Sequence, residues 1–365
     1  MKKVLLVTGS LRIGGLETVV MNCARYLPKS EYSFDFLCWD KSVGEFEAEA
    51  KSFGGEIIRI RSPHDGYYAF YKDVKHVMES YGPYDVVHSH VFFLTGLVLR
   101  AAARSGVKTR IAHSHSIQRK SDKKIVKRIY NNVMRKFINK YATVKCACST
   151  ATGEYLYGAK AFNTQGVILP NVIDIERFKY SSEDRAAIRQ EFGISNNRLV
   201  IGHVGHMLPV KNQLFLLDVF ALLVKEKDAS LVMVGDGPKR ADIEQKIQEL
   251  CIEDKVILTG TRTDVNKIMS SFDIFVLPSL HEGLPVTVIE SVSNGLSYVM
   301  EERAIAKEIA GLKSCIKVSG YGEQDWCNAI FEGISRGRYD YTDCAEQLKA
   351  FSLESFVAVL MDVYA

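Results

Sequence analysis

The sequence predicts an α/β protein built from two doubly wound units in tandem, each around a parallel sheet. Three observations predict it. Short, near-continuous apolar strands alternate with helical periods from one end to the other, the pattern of parallel strands covered on both faces. The alternation breaks once, around 171–195, and then restarts. At 365 residues the chain is also too long for one ordinary core.

In the first half, strands are expected at 4–7, 34–38, 57–60, 85–88, 110–113, 144–148 and 167–169, with amphipathic helices at 17–26 and 68–78 among them. The segment with Asp174, Glu176, Arg177 and the polar Ser181-Ser182-Glu183-Asp184 reads as a connection. The second half offers strands at 200–204, 231–234, 256–258, 274–277 and 298–300, and helices at 213–224, 239–250 and 286–292. The resulting domains are 1–175 and 176–343, and the stretch 344–365 is a last helical segment that can cross back to the first domain.

Bulk properties narrow the function. No run of about 18 apolar residues is present, so no membrane-spanning helix is expected. The apolar stretch after Lys2-Lys3 covers only 4–7 and reads as a first strand, not a signal peptide. The eight cysteines are scattered without zinc spacing, and Cys146-Ala-Cys148 alternates as strand packing does, so a reduced, cytoplasmic setting is expected. A net charge of +4 is too small to imply nucleic acid. The charge is uneven, however. Residues 104–140 carry twelve Lys/Arg against one acid, Asp122. Ile125, Ile129, Val133, Met134, Phe137 and Ile138 recur there at helical spacing. Two readings fit: a basic helix that docks on an anionic membrane surface through 119–140, and an ordinary helix whose apolar stripe faces its own core.

Ligands of open α/β sheets bind beyond the carboxyl ends of strands, and the unusual residues of this chain fall there. After the first strand comes Gly14-Gly15, where a backbone without side chains lets a phosphate or sugar approach. His88-Ser-His90 and His113-Ser-His115 follow later strands. Alternate strand residues share a face, so each pair can chelate, but no acid or cysteine close in sequence completes a set, and no metal is expected. Gly205-His206 with Lys211 follows the first strand of the second half, and Gly235-Asp-Gly237 the next. The most informative stretch is 277–290: a strand end, a Gly turn, and a helix expected to open at Pro285. Amides of Gly283 and Leu284 would face an anion there, with Glu282 before the turn and Glu290 further along, placed to accept from a ribose diol.

Taken in order, Gly14-Gly15-Leu-Glu17, Asp85 to His90, Arg110 to His115, Pro170-Asn171 to Asp174, Gly205 to Asn212, Val234 to Pro238, and Pro278 to Glu290 resemble the retaining glycosyltransferases of family 4, in the exopolysaccharide and capsule branch. The resemblance implies the GT-B fold, two Rossmann-like domains with a cleft between them. It implies a nucleotide-sugar donor, a UDP-sugar, as substrate, with no cofactor and no metal. It implies an acceptor that is a glycan, lipid-linked, at the inner membrane face. Residue by residue, Glu290 would bind the donor ribose. Glu282, Gly283 and Leu284 would hold sugar hydroxyls and phosphate, and Lys211 would neutralise the diphosphate. His113 or His115 would face the transferred sugar, and the sequence does not choose between them. Gly14, Gly15 and Gly205 would line the site.

Two departures stand out. The family has Arg where this chain has His206. Arginine is charged throughout the accessible pH range while histidine titrates near neutrality, so His206 is expected to serve as a cation recruited by the diphosphate. The second is Met300-Glu301-Glu302, where relatives carry a Ser-Asp pair. His206 also keeps open a non-catalytic partner subunit of the same fold, and a sugar-nucleotide epimerase of the same two-domain shape is a further alternative. A dinucleotide enzyme is disfavoured, since no GxGxxG follows the first strand.

Overall fold

The computed structural model describes residues 1–117, 125–312 and 314–365. Two compact units are present, Met1–Val172 with Leu353–Ala365, and Ile173–Ser352.

The first unit has a seven-stranded parallel sheet in the order β3-β2-β1-β4-β5-β6-β7. Its strands are β1 (Lys2–Val7), β2 (Tyr32–Cys38), β3 (Ile57–Arg59), β4 (Val86–Ser89), β5 (Thr109–Ser114), β6 (Val144–Ala147) and β7 (Gly166–Ile168). The order reverses beside β1, which pairs with β2 on one side and β4 on the other. Central strands bury both faces: Val4 and Leu6 belong to one apolar cluster, Leu5 and Val7 to another. This is why alternation is absent and the strand reads as a continuous run. Pairing of β4 with β5 puts His88 opposite Ile111 and Ser89 opposite Ala112, so the ends of the two strands emerge side by side.

The second unit repeats the winding with six parallel strands in the order β10-β9-β8-β11-β12-β13. They are β8 (Leu199–Val204), β9 (Ala229–Val234), β10 (Val256–Gly260), β11 (Ile274–Leu277), β12 (Tyr298–Glu301) and β13 (Cys315–Val318). The sequence reading omits β13, an edge strand of four residues that is too short for a periodicity signal. It also omits the helix Glu323–Arg336, whose buried Trp326, Cys327, Ala329, Ile330 and Gly333 do follow helical spacing.

The last segment is broken where one helix over 344–364 is expected. A short helix Ala345–Leu348 and a 3-10 turn end at Ser352, whose backbone is extended (φ −76°, ψ 155°). A separate helix, Leu353–Tyr364, then packs Phe356, Leu360, Val363 and Tyr364 against Val4, Leu6 and Val19 of the first unit. Lys2 donates through Nζ to the terminal carbonyls of Tyr364 and Ala365, each at 2.8 Å, where the helix dipole favours a cation. Truncating Phe356 to Ala would cost about 3–5 kcal/mol, so this helix is an integral part of the first core.

Candidate active site

At the carboxyl end of the second sheet, adjacent strands β8 and β11 lead into two loops stitched together by the Leu280 amide, which donates to the Val210 carbonyl at 2.8 Å. Each loop contributes one charge. Lys211 ends a 3-10 turn, Pro209–Lys211, and is followed by Asn212 in the left-handed region (φ 57°), which turns the chain into the helix Gln213–Leu223. Its ammonium reaches Glu282 Oε1 at 2.7 Å, with both side chains largely buried. Two predicted site residues, 71 positions apart, are thus an ion pair. Glycine is required at Gly235 (φ 130°), where a Cβ would run into the Gly205 carbonyl, whereas a Cβ at Gly205 would make only ordinary contacts with His203 and Lys211.

Beneath the pair lies His203, missed by the sequence reading because a histidine inside an apolar strand looks like packing. It is buried, and Nδ1 is 2.9 Å from the Val276 carbonyl. A carbonyl only accepts, so Nδ1 carries the proton and the buried Nε2 is left without a hydrogen-bond partner among the described residues. Burial pushes its pKa down to about 4. His206 is exposed, and its carbonyl accepts from Gln213 Nε2 at 2.9 Å.

The helix after the Gly turn is Val286–Ser293, not a helix opening at Pro285. Pro285 keeps its fixed φ (−73°), but its ψ of 107° is extended, so it caps the helix without joining it. Gly283 and Leu284 therefore stand outside the helix, and the Leu284 side chain is buried. Glu290 lies on this helix away from the Lys211–Glu282 pair's hydrogen bonds. It is partly buried, and its carboxylate accepts no hydrogen bond among the described residues. Burial raises its pKa to about 7, opposed by the charge of Arg177. The sequence places Arg177 in a connecting segment. It donates to the Thr263 carbonyl at 3.1 Å, and its own amide is held by Asp174 Oδ1. Its signal was the Asn171-to-Asp174 motif just before it.

Glu301 and Glu302 divide. Glu301 is buried, accepting from the Arg303 amide at 2.8 Å and from Arg303 Nε at 2.6 Å, so it caps a short turn; Glu302 is exposed.

In the first unit, Gly14 caps the helix Gly15–Arg25 with an ordinary extended backbone (φ −166°). A Cβ at Gly15 would meet nothing within 4 Å. A Cβ at Gly14, by contrast, would run into the Glu17 carboxylate, so the open space available to a ligand is beside Gly15. The four histidines cluster. His88 Nε2 lies 3.2 Å from His113 Nδ1, and His90 Nδ1 lies 2.9 Å from His115 Nε2. Both pairs are stacked, at ring-centroid distances of 5.2 and 5.1 Å. Tyr364 Oη is 2.9 Å from His88 Nδ1, and the Leu169 carbonyl 3.3 Å from His113 Nε2. Burial holds all four neutral, His115 with a pKa of about 4 and the others well below the usual value. The neighbouring Asn171 side chain partly opposes the shift of His115. His113 is fully buried and His115 is not, so of the two only His115 can meet a solute.

Ligand atoms of His90, His113 and His115 lie within 4.8 Å of one another, as do those of Cys23, His88 and His90. The fold thus brings in a cysteine that is distant in sequence. Both nitrogens of His88 and of His113 already have partners, so either trio could ligate a metal only by giving up one of those bonds.

Residues 13–177 match the family described as Glycosyltransferase Family 4, and 184–317 that described as Glycosyl transferases group 1. The chain is 33% identical to the glycosyltransferase EpsF of Bacillus subtilis over 370 residues, covering 100% of this chain and 96% of that one. This chain is a family 4 glycosyltransferase. It belongs to the exopolysaccharide and capsule branch: the Staphylococcus aureus capsular polysaccharide glycosyltransferase CapH is 24% identical over 93% of this chain and 92% of its own length. An Escherichia coli UDP-Gal:α-D-GlcNAc-diphosphoundecaprenol α-1,3-galactosyltransferase is 26% identical over 79% of this chain and 76% of its own. The fold of the glycosyltransferase is GT-B. It superposes on Anabaena HepE, solved with UDP and glucose, at a TM-score of 0.82 with 19% identity, covering 99% of each chain.

Proposed function

We propose that this glycosyltransferase moves a sugar, with retention of anomeric configuration, from a UDP-sugar to a lipid-linked glycan acceptor in surface-polysaccharide synthesis. The observation that carries the reading is the Lys211–Glu282 pair, a cation and an acceptor held together at the carboxyl ends of β8 and β11. The names of two similar proteins, one solved with UDP and one acting on a diphosphoundecaprenol, support the donor and acceptor classes.

The chemistry follows from charge. As the bond between the anomeric carbon and the donor phosphate oxygen breaks, the diphosphate gains negative charge. Lys211, with His206 and the amides around Gly283, stabilises that charge more in the transition state than before it, which lowers the barrier. Glu282 turns from Lys211 to the sugar hydroxyls. Glu290 accepts from the ribose diol, and His115 faces the sugar. The acceptor hydroxyl attacks from the departing side and its proton passes to the leaving phosphate oxygen, so neither a carboxylate base nor a metal is required.

The outward face of the helix Ile125–Tyr141 supports attachment to an anionic lipid surface. Met134 and Ile138 pack inward, whereas Ile125 (73% exposed), Val126 (80%), Ile129 (59%) and Val133 (40%) face outward beside Arg128, Lys136 and Lys140. The expected stripe thus faces the core at Met134, Phe137 and Ile138 and faces outward at Ile125, Ile129 and Val133. Arg119, Lys120, Lys123 and Lys124, also expected to contribute, lie outside the described residues. No helix among the described residues is long and apolar enough to cross a membrane.

A panel of nucleotide sugars in a thermal-shift assay, followed by transfer to an undecaprenyl-diphosphate-linked sugar, tests the reading. One UDP-sugar should raise the melting temperature and yield a product of unchanged anomeric configuration. Failure of every UDP-sugar to bind would overturn the donor assignment, and an inverted product the retaining one. Conversion of donor to an epimer without acceptor would favour the epimerase alternative.

A further inference from the structure

The histidine cluster contains a hydrogen-bond chain whose direction is fixed from one end. The Leu169 carbonyl can only accept, so His113 Nε2 carries a proton. A neutral imidazole has one N–H, so His113 Nδ1 is bare and must accept from His88 Nε2. His88 Nδ1 is then bare in turn, and Tyr364 Oη must donate to it. The direction is the same at every link because burial keeps both rings neutral and the phenol protonated. Tyr364 comes from the far end of the chain, 276 residues from His88. The opposite end of the relay is Leu169, two residues before Asn171, whose side chain lies beside His115 and acts on its charge.

We propose that Tyr364 is a positioning residue for sugar transfer: its hydroxyl sets the proton arrangement of His88 and His113, and so holds the Leu169–Asn171 segment and His115 in one geometry. This rests on the reading that His115 faces the transferred sugar. Without the hydroxyl, His88 Nδ1 loses its donor in a dry site. A bare, buried Nδ1 is costly, and the alternative, moving the ring proton to Nδ1, sets two bare nitrogens against each other between His88 and His113. The bond to Leu169 loosens and His115 loses its support. The hydroxyl also neighbours the Cys23 thiol, a weak donor that Tyr364 can accept from while donating onward.

The test uses the full chain labelled with nitrogen-15 histidine. In the wild type, His88 and His113 should both show the Nε2–H tautomer; an Nδ1–H on either ring overturns the proposal without any variant. In Tyr364→Phe the single arrangement should be lost, and kcat should fall roughly tenfold with the donor KM unchanged, since a buried acceptor is left unpaired in the unit that does not hold the donor. Val363→Ala, which loosens the same helix without touching the relay, should lower the melting temperature but keep both the tautomers and kcat. Loss of kcat in Val363→Ala equal to that in Tyr364→Phe would reduce Tyr364 to a packing role. Full transfer by His115→Ala would sink the sugar-facing reading, while the tautomer measurement would still judge the relay. An inactive His115→Ala with a fully active Tyr364→Phe would sink this proposal alone.

Discussion

Lys211 Nζ and Glu282 Oε1 are 2.7 Å apart, so in the unliganded protein the cation expected to meet the diphosphate is already neutralised by the acid expected to meet the sugar. The two roles compete for one contact. Charge-assisted bonds of this kind are about twice as strong as neutral ones, and this pair is mostly sheltered from water.

Removing the acid should therefore separate binding of the leaving group from transfer. Glu282→Gln is expected to bind free UDP several-fold tighter than wild type, because Lys211 no longer shares its charge, while transfer falls by roughly 10²-fold or more for want of the sugar contact. Lys211→Ala should lose both. Calorimetry with UDP and a steady-state transfer assay check this. Weaker UDP binding by Glu282→Gln would mean that Glu282 holds Lys211 in place for the phosphate and does not compete with it.

Much of this was legible in the sequence, and the losses have physical causes. The strands were visible because parallel strands covered on both faces are continuous apolar runs, as in β1 and β11. Lys211 and Glu282 were visible because Gly and Pro punctuation marks the loops that carry them. Tyr364 and Arg177 were not. Each acts through a contact that only the tertiary fold makes, and nothing local distinguishes Tyr364 from any aromatic residue ending an amphipathic helix. His113 and His115 occupy alternate positions of one strand end, so the choice between them needed the exposure that burial in β5 denies to His113.

Glu290 predicts a conflict between stability and function. Its pKa rises from 4.5 to about 7 on folding. Between those values the folded state holds a proton that the unfolded state has lost, so this group's contribution falls as pH rises from about 4.5 to 7 and stays low above. The ceiling on the effect is about 3 kcal/mol, reduced by solvent screening at this partly exposed group, and the opposing charge of Arg177 is already part of the shift. Glu290→Gln should then melt higher than wild type at pH 8, with the difference shrinking toward pH 5, and should bind the donor poorly. A melting difference independent of pH would show that Glu290 is not the group titrating.

The buried histidines act in the opposite direction. His88, His90, His113, His115 and His203 all have pKa values lowered by burial. Below about pH 6.5 the unfolded chain takes up protons that the folded one refuses, so stability is full above that value and is lost as pH falls beneath it. Five such groups outweigh the single opposing Glu290. The melting temperature of wild type should drop steeply between pH 6.5 and 5, and the drop should be shallower in His203→Gln, which replaces one titrating ring by a neutral amide. A flat profile over that interval would mean that the rings are solvated in solution.

The outward face of the helix Ile125–Tyr141 makes the last prediction. Branched apolar side chains beside lysines are an unfavourable surface in water but match the boundary of an anionic bilayer, where apolar burial and charge attraction add. A lysine near such a surface contributes about 1 kcal/mol, and the contribution is screened by salt. Sedimentation with vesicles rich in phosphatidylglycerol should therefore show binding that weakens as salt rises and is absent with neutral phosphatidylcholine. Ile129→Asp should abolish it at every salt concentration, by putting a like charge against the lipid where an apolar contact was. Lys136→Gln should weaken it several-fold and reduce its salt dependence. Neither substitution touches the Lys211–Glu282 pair or the histidine cluster, so transfer to a short, detergent-soluble acceptor should be unchanged in both. If Ile129→Asp binds vesicles as wild type does, the exposed residues of this face are not the attachment surface.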